Sequence, residues 1–467
     1  MKASVLDTYK KYDIDIDSTL NELIKNDDHV FVVLDDDPTG VQCVHDINVY
    51  TDYKYESIAQ AFNEKLFFIL TNSRALSHDE SKKLHEEIVK VVSEVSKKTN
   101  KKYFYISRGD STLRGHYPLE TDILSTGLIN DYGKVDGEIL LPFFKEGGRF
   151  TIDDVHYVKY NDELIPCGET EFAKDKTFGY KSSNLKEYIE EKTNGQIKKE
   201  DVISISLDDL RNYRIDKILN ILLSATNNTK IIVNAIDEDD VKVFCIALYK
   251  AFNEGKIFNF RSAAALVKCI GGISSRPLLT REEMIVEDTS NGGIVLVGSH
   301  TDKTTRQLNK LLTLNNVEAL EFKCSEILKS EEAFELEVER LVKVEEELIK
   351  QGKNVVIYTE RVLISLDCDN PETALRRSVK ISEGVYHLVK NLKIKPAFVV
   401  AKGGITSADV GVKGLEIKKA LVLGQIEPGI PVWKALENSK FPNIPYIIFP
   451  GNVGEDETLK RVVEKLI

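Results

Sequence analysis

Three short apolar runs in the first quarter of the chain each stop at a cluster of polar residues, and this limits the fold more than any other feature. Residues 30–34 (Val-Phe-Val-Val-Leu) run into Asp35-Asp36-Asp37-Pro38-Thr39-Gly40. Residues 66–70 run into Thr71-Asn72-Ser73-Arg74, and residues 103–106 into Ser107-Arg108-Gly109-Asp110-Ser111-Thr112-Leu113-Arg114-Gly115. Continuous β-branched and aromatic runs of this length read as strands buried on both faces. Between the second and third, Ser77 and Glu80 form a capping-box pattern. Leu84, Ile88, Val91, Val92 and Val95 then make one helical stripe. Strand, helix and strand in this order require a parallel pair. The polar ends then share one crevice at the carboxyl edge of a sheet, where open α/β sheets hold their ligands.

Those ends carry the chemistry. Asp110 can accept a proton or orient a hydroxyl, Arg114 can fork onto a carboxylate, and Gly115 lets backbone approach closely. Asp35, Asp36 and Asp37 repel one another with no cation adjacent in sequence. Such a triplet implies a metal, a hydrogen-bond network or a cationic clamp nearby.

Further strands are expected at 137–141, 202–205 and 231–235, with a helix from Asp237 to about Gly255. The stretch 145–200 has little periodicity and reads as an irregular functional loop or lid. Gly271-Gly272, Ser274-Ser275, Pro277 and Gly292-Gly293 mark a linker. After it strands and helices alternate cleanly: strands at 294–297, 317–322, 355–358, 398–401, 421–423 and 446–449, and helices through Leu308, from Ser330 to Lys350 and from Pro371 to Asn391. The expectation is two doubly wound, mainly parallel α/β domains, residues 1–275 and 276–467, with the active site in the crevice between them. Gly298-Ser299 and Gly403-Gly404-Ile405-Thr406-Ser407 each join a strand to a helix, a place suited to phosphate oxygens. Neither GxxxxGK[ST] nor GxGxxG occurs.

Taken in order, residues 35–46, Thr71 to Arg74, Asp110 to Gly115, Phe260-Arg261-Ser262-Ala263-Ala264, Val297 to Thr301, Lys402 to Ser407 and Pro450-Gly451-Asn452-Val453-Gly454 resemble the four-carbon acid sugar kinases. The resemblance spans nearly the whole chain. It departs from the family pattern at Arg108, where lysine is common, at His116, and at Ile405, where glutamate is usual. It implies an N-terminal sugar-acid domain, a C-terminal nucleotide domain, ATP with Mg²⁺, and a substrate such as threonate, erythronate or 3-oxo-tetronate. It places Ser299, Gly403, Gly404, Ile405, Thr406 and Gly451 on the ATP side. Arg74 and Arg114 are then expected to hold the acid, and Asp36 or Asp110 to orient or deprotonate the acceptor hydroxyl. Asp35, Thr39, Gly40, Ser73, Ser111, Thr112 and Arg261 complete the substrate side, without a protein metal site.

With 75 acidic and 63 basic residues the chain has net charge −12 and no basic block, which argues against a nucleic-acid or anionic-membrane partner. The N-terminus lacks a signal-peptide core. The six cysteines (43, 167, 245, 269, 324 and 368) show no CxxC spacing. A reduced, cytoplasmic protein without zinc is expected, its partners being the sugar acid and ATP, and a homodimer is allowed. Two other readings compete. Residues 33–39 satisfy hhDxDxT, the first motif of haloacid-dehalogenase-like phosphatases, with Asp35 as nucleophile and Asp37 as acid/base. A non-catalytic sugar-acid sensor would use the same crevice.

Overall fold

The computed structural model describes residues 1–287, 289–361, 364, 371–451 and 453–467, and the side chains of these except 371, 372, 374 and 375. Cys368 and Asn452, named above, lie outside them. The chain divides into two compact units, residues 1–44 with 52–275 and residues 45–51 with 276–467.

In the first part of the chain the strands are β1 (Val30–Asp35), β2 (Ile47–Tyr50), β3 (Leu66–Leu70), β4 (Tyr103–Arg108), β5 (Gly137–Leu141), β6 (Arg149–Ile152), β7 (Val155–Tyr160), β8 (Glu163–Pro166), β9 (Ile203–Ile205), β10 (Thr229–Val233) and β11 (Phe258–Ser262). The first unit is built on a parallel sheet of order β3-β1-β4-β11-β5-β10-β9. Its apolar runs are buried on both faces: Phe31, Phe67, Phe68 and Phe104 are wholly inaccessible. Each such side chain contributes roughly 1.5–3 kcal/mol of transfer free energy. The helix His78–Thr99 carries the expected capping box at Ser77 and buries Ile88, Val92 and Val95. Chain order reverses on either side of β1, so the turn after Asp35 stands at a topological switch point.

Residues 145–200 are not structureless. β6, β7 and β8 form a separate antiparallel sheet, followed by the helix Leu185–Lys192. The turn residues Asp153, Asp154 and Asn161 all have positive φ, the backbone that tight hairpins need. Val158, Cys167, Leu185, Tyr188 and Ile189 of this segment share one core cluster with Leu113 of the Asp110 loop and with Leu140 and Ile232 of the parallel sheet.

The second unit contains β12 (Ile294–Val297), β13 (Val317–Phe322), β14 (Asn354–Thr359), β15 (Val399–Lys402), β16 (Lys419–Glu427), β17 (Ile430–Ala435) and β18 (Pro445–Phe449). Its strand order is β13-β14-β12-β15-β18-β17-β16-β2. The half from β13 to β18 is parallel. The rest is antiparallel, including β2, which enters from the first part of the chain. The second domain therefore joins a parallel half to an antiparallel edge. β17 eluded the sequence reading because Pro431 interrupts it. That proline stands opposite Gln425 beside a register irregularity, a position that tolerates a residue without an N–H. The linker region from Arg276 onward packs on this unit, burying Leu279 and Met284 in its core.

Candidate functional site

In the first unit the sheet register sets the site. Asp35 pairs with Leu70 on one side and Arg108 on the other, and Ser262 pairs with Arg108. The polar ends of β1, β3, β4 and β11 therefore finish level. Thr71 locks the first two together, its N–H and Oγ1 both donating to Asp35 O at 2.9 and 2.8 Å.

The aspartate triplet does have cations, brought from other strands. Arg74 Nη2 lies 3.2 Å from Asp36 Oδ1 and 2.9 Å from Asp37 Oδ2, and its Nη1 is 3.5 Å from Asp110 Oδ1. Arg108 Nη1 is 3.7 Å from Asp35 Oδ1. Thr39 donates through its N–H and hydroxyl to Asp37 Oδ1 at 2.8 and 2.6 Å. Gly40 is obligatory here, because a Cβ on it would stand 1.9 Å from Asp35 Oδ1.

These surroundings drive the carboxyls apart. Burial pushes Asp35 well above the usual carboxylate range despite Arg108. Burial also raises Asp36, to about 6, against the pull of Arg74 and Arg261. Asp110 is equally buried, yet Arg74, Arg114 and the Thr112 hydroxyl overcome that penalty and hold it far below the usual range. Arg74 and the Thr39 hydrogen bonds do the same, less strongly, for Asp37. Asp36 Oδ2 is buried and has no hydrogen-bond partner.

Arg114 Nε donates to Asp110 Oδ2 at 2.8 Å, and its Nη1 lies 3.8 Å from Asp175 Oδ2. The loop that carries it is tied down from behind. His156 Nε2 bonds Ser111 O at 2.8 Å, Tyr180 OH donates to Thr112 O at 2.7 Å, Tyr188 OH to Leu113 O at 2.8 Å, and Arg261 Nη2 to Arg114 O at 2.9 Å. Four successive carbonyls are thus each held by a side chain. Burial lowers the His156 pKa to about 4, so the ring is neutral, with Nε2–H donating and Nδ1 accepting from Thr151 Oγ1 at 2.9 Å. Beneath the loop, Glu120 accepts from Ser73 Oγ at 2.6 Å and from Arg261 Nη1 at 3.2 Å. Glu120, His156, Tyr180 and Tyr188 were not singled out from sequence. The loop carbonyls that His156, Tyr180 and Tyr188 hold lie 45 to 75 residues away, and Glu120 meets Arg261 across 141, beyond any local motif.

In the second unit, Ser299, Gly403, Gly404, Ile405, Thr406 and Gly451 all line one cavity of about 370 Å³, a size suited to a small ligand. His300 lines it too, as do Gly298, Thr359 and Ser382. Close approach explains Gly298, whose Cβ would stand 2.5 Å from Thr406 Oγ1. Ile405 is 66% exposed. Behind the cavity, Lys402 Nζ donates to Pro450 O at 2.8 Å and Gly451 O at 2.9 Å, and sits 4.3 Å from the Phe449 ring centroid. Burial, with Lys303 adding, lowers its pKa to about 7. Arg361 Nη2 donates to Ser299 O. Among the described residues no three His, Cys, Asp or Glu side chains are grouped to hold a metal, and no helix is long and apolar enough to cross a membrane.

The sequence matches the description "Sugar-binding N-terminal domain" over residues 31–270 and "Nucleotide-binding C-terminal domain" over residues 294–459. A comparison with curated proteins found no significant match. Among solved structures, the chain is similar to one described as a putative tRNA synthase from Salmonella typhimurium LT2, with 16% identity, TM-score 0.66, and coverage of 92% of this chain and 98% of that one. It is also similar to Haemophilus influenzae protein HI1011, described as DUF1537, with 17% identity, TM-score 0.62, and coverage of 93% and 100%. At such identities these likenesses speak for the fold alone. With both domains matched in order, this chain belongs to the family that joins a sugar-binding N-terminal domain to a nucleotide-binding C-terminal domain.

Proposed function

We propose that the protein is an ATP-dependent kinase that phosphorylates a hydroxyl of a small sugar acid, of the four-carbon class that includes threonate, erythronate and 3-oxo-tetronates. The observation that carries this reading is the split among neighbouring carboxyls. Asp36 has a pKa of about 6 and a buried oxygen with no partner, while Asp110 is held ionised by two guanidiniums.

A general base works best with a pKa near the working pH, which favours Asp36 over Asp110. In this reading the acceptor hydroxyl donates to Asp36. As its oxygen bonds the γ-phosphorus and the β–γ bridging bond breaks, the proton passes to Asp36 and ADP departs. Asp110 is too acidic for that task and instead keeps Arg74 and Arg114 in place. The backbone around Gly298, Gly403, Gly404 and Gly451, with the hydroxyls of Ser299 and Thr406, suits ATP phosphates. Mg²⁺ arriving with the nucleotide supplies charge neutralisation there. The phosphatase alternative needs Asp35 as an anionic nucleophile. Burial holds Asp35 well above the usual carboxylate range, which favours its neutral form.

The test is ADP release, measured with a coupled assay, against a panel of threonates, erythronates and 3-oxo-tetronates. Release that depends on one of these acids is expected. ADP release unchanged by every acid, or phosphate release from p-nitrophenyl phosphate without ATP, refutes the reading.

A further inference from the structure

Arg149, the first residue of β6, was not among the expected ligand-binding residues. Its guanidinium and that of Arg114 meet one aromatic ring: the Cζ atoms of Arg114 and Arg149 lie 5.1 and 5.4 Å from the Phe172 ring centroid. The two cations differ in what they are paired with. Arg114 meets Asp110 and Asp175. Arg74 is shared by three carboxylates, Arg108 faces Asp35, and Arg261 is paired with Glu120.

Arg149 forms no ion pair among the described residues. Its Nη1 donates to Gly147 O, and its Nε is buried without a partner. Asp110 and Glu171 act on it only at longer range, and Glu171 already accepts from Tyr160 OH at 2.8 Å. A guanidinium stays charged in a protein, and one withdrawn from water with an open donor is costly unless an anion completes it.

We propose that Arg149 is the principal receptor for the anionic group of the ligand, a carboxylate on a short hydroxylated chain, with Arg114 against the same Phe172 ring. This rests on the sugar-acid reading above and moves the carboxylate contact away from Arg74, whose Nη1 and Nη2 are already shared among three aspartates. The site then selects acids over the corresponding polyols. A planar fork also gives Arg149 an advantage that a lysine there lacks.

The experiment compares the full-length wild type with Arg149→Gln and Arg149→Lys. Binding of threonate, erythronate and uncharged erythritol is followed by calorimetry, with the urea midpoint as the folding control. Wild type should bind at least one acid and prefer it to erythritol. Arg149→Gln should lose acid affinity on the order of 10²-fold, down to the level of the polyol. Arg149→Lys should recover only part of that loss. If Arg149→Gln fails to fold, the lysine variant decides, because acid affinity equal to wild type in it overturns the proposal. Equal acid affinity in the glutamine variant also overturns it, as does a wild type that binds neither acid or binds erythritol equally well. If Arg149→Gln weakens acid binding while no acid drives ADP release, the kinase reading falls and the assignment of Arg149 stands.

Discussion

Replacing Asp36 by asparagine should make the enzyme slower and the protein more stable, and both effects follow from the same burial. Asp36 is 2% exposed, and its pKa is raised from 3.8 to about 6. The folded protein therefore holds this proton more tightly than the unfolded chain does. The contribution is fully present below the unfolded value and is lost as pH rises through about 6. A shift of this size corresponds to roughly 3 kcal/mol at neutral pH. Asparagine keeps the shape and carries no charge to desolvate. Urea unfolding of the variant and wild type at a series of pH values should give similar stability near pH 4. The variant should gain progressively to about 2–3 kcal/mol above pH 7. Under the kinase reading its kcat should fall by roughly 10²–10⁴-fold, and the acidic limb of the wild-type rate profile near pH 6 should disappear. A stability difference independent of pH, or an acidic limb that survives the substitution, refutes the reasoning.

Glu345 is completely buried in the helix Glu331–Lys350 with no hydrogen-bond partner for either carboxyl oxygen, and burial, then Glu346, pushes its pKa well up. Its stabilising contribution is lost as pH rises through that elevated value, so Glu345→Met should raise the urea midpoint at pH 8, by roughly 1–3 kcal/mol of stability, and much less at pH 4. Under the kinase reading, Gly298→Ala, which brings a methyl group into Thr406, should raise the KM for ATP several-fold while that for the acid stays within about twofold. The pair Tyr180→Phe and Tyr188→Phe leaves two loop carbonyls without donors, at a cost of roughly 1–3 kcal/mol each. Hydrogen–deuterium exchange should then quicken in the Asp110 loop and not around Gly403.

Much of the scaffold was legible because buried parallel strands must be continuously apolar. β1, β3 and β4 announced themselves, and the helix between the last two settled their direction. β2 and β11 were missed: one has only four residues, and the other carries Asn259, Arg261 and Ser262 within a buried strand. Of the site, Asp36, Asp110, Arg74 and Arg114 could be picked out because a strand end delivers them together. What each one touches could not be picked out. The neutralisation of Arg74 by three aspartates depends on strand register, and the unpaired state of Arg149 depends on a hairpin that looked like a loop. Tyrosines that hold carbonyls read simply as apolar or polar surface until their hydroxyls are placed.

The strand β2 has a consequence for biosynthesis. It is translated among the first fifty residues, yet the strand beside it in the second unit, β16, starts at Lys419, and Thr51 bonds the carbonyl of Ile417 across 366 residues. At about 5–20 residues per second the ribosome takes roughly 20–70 s to supply that partner. Through that interval the edge of β2 that β16 will take stays open. Four residues are too few to template a foreign sheet, since aggregation-prone segments run to about six or seven. The brevity that hid β2 in the sequence is what lets the growing polypeptide wait safely for its partner.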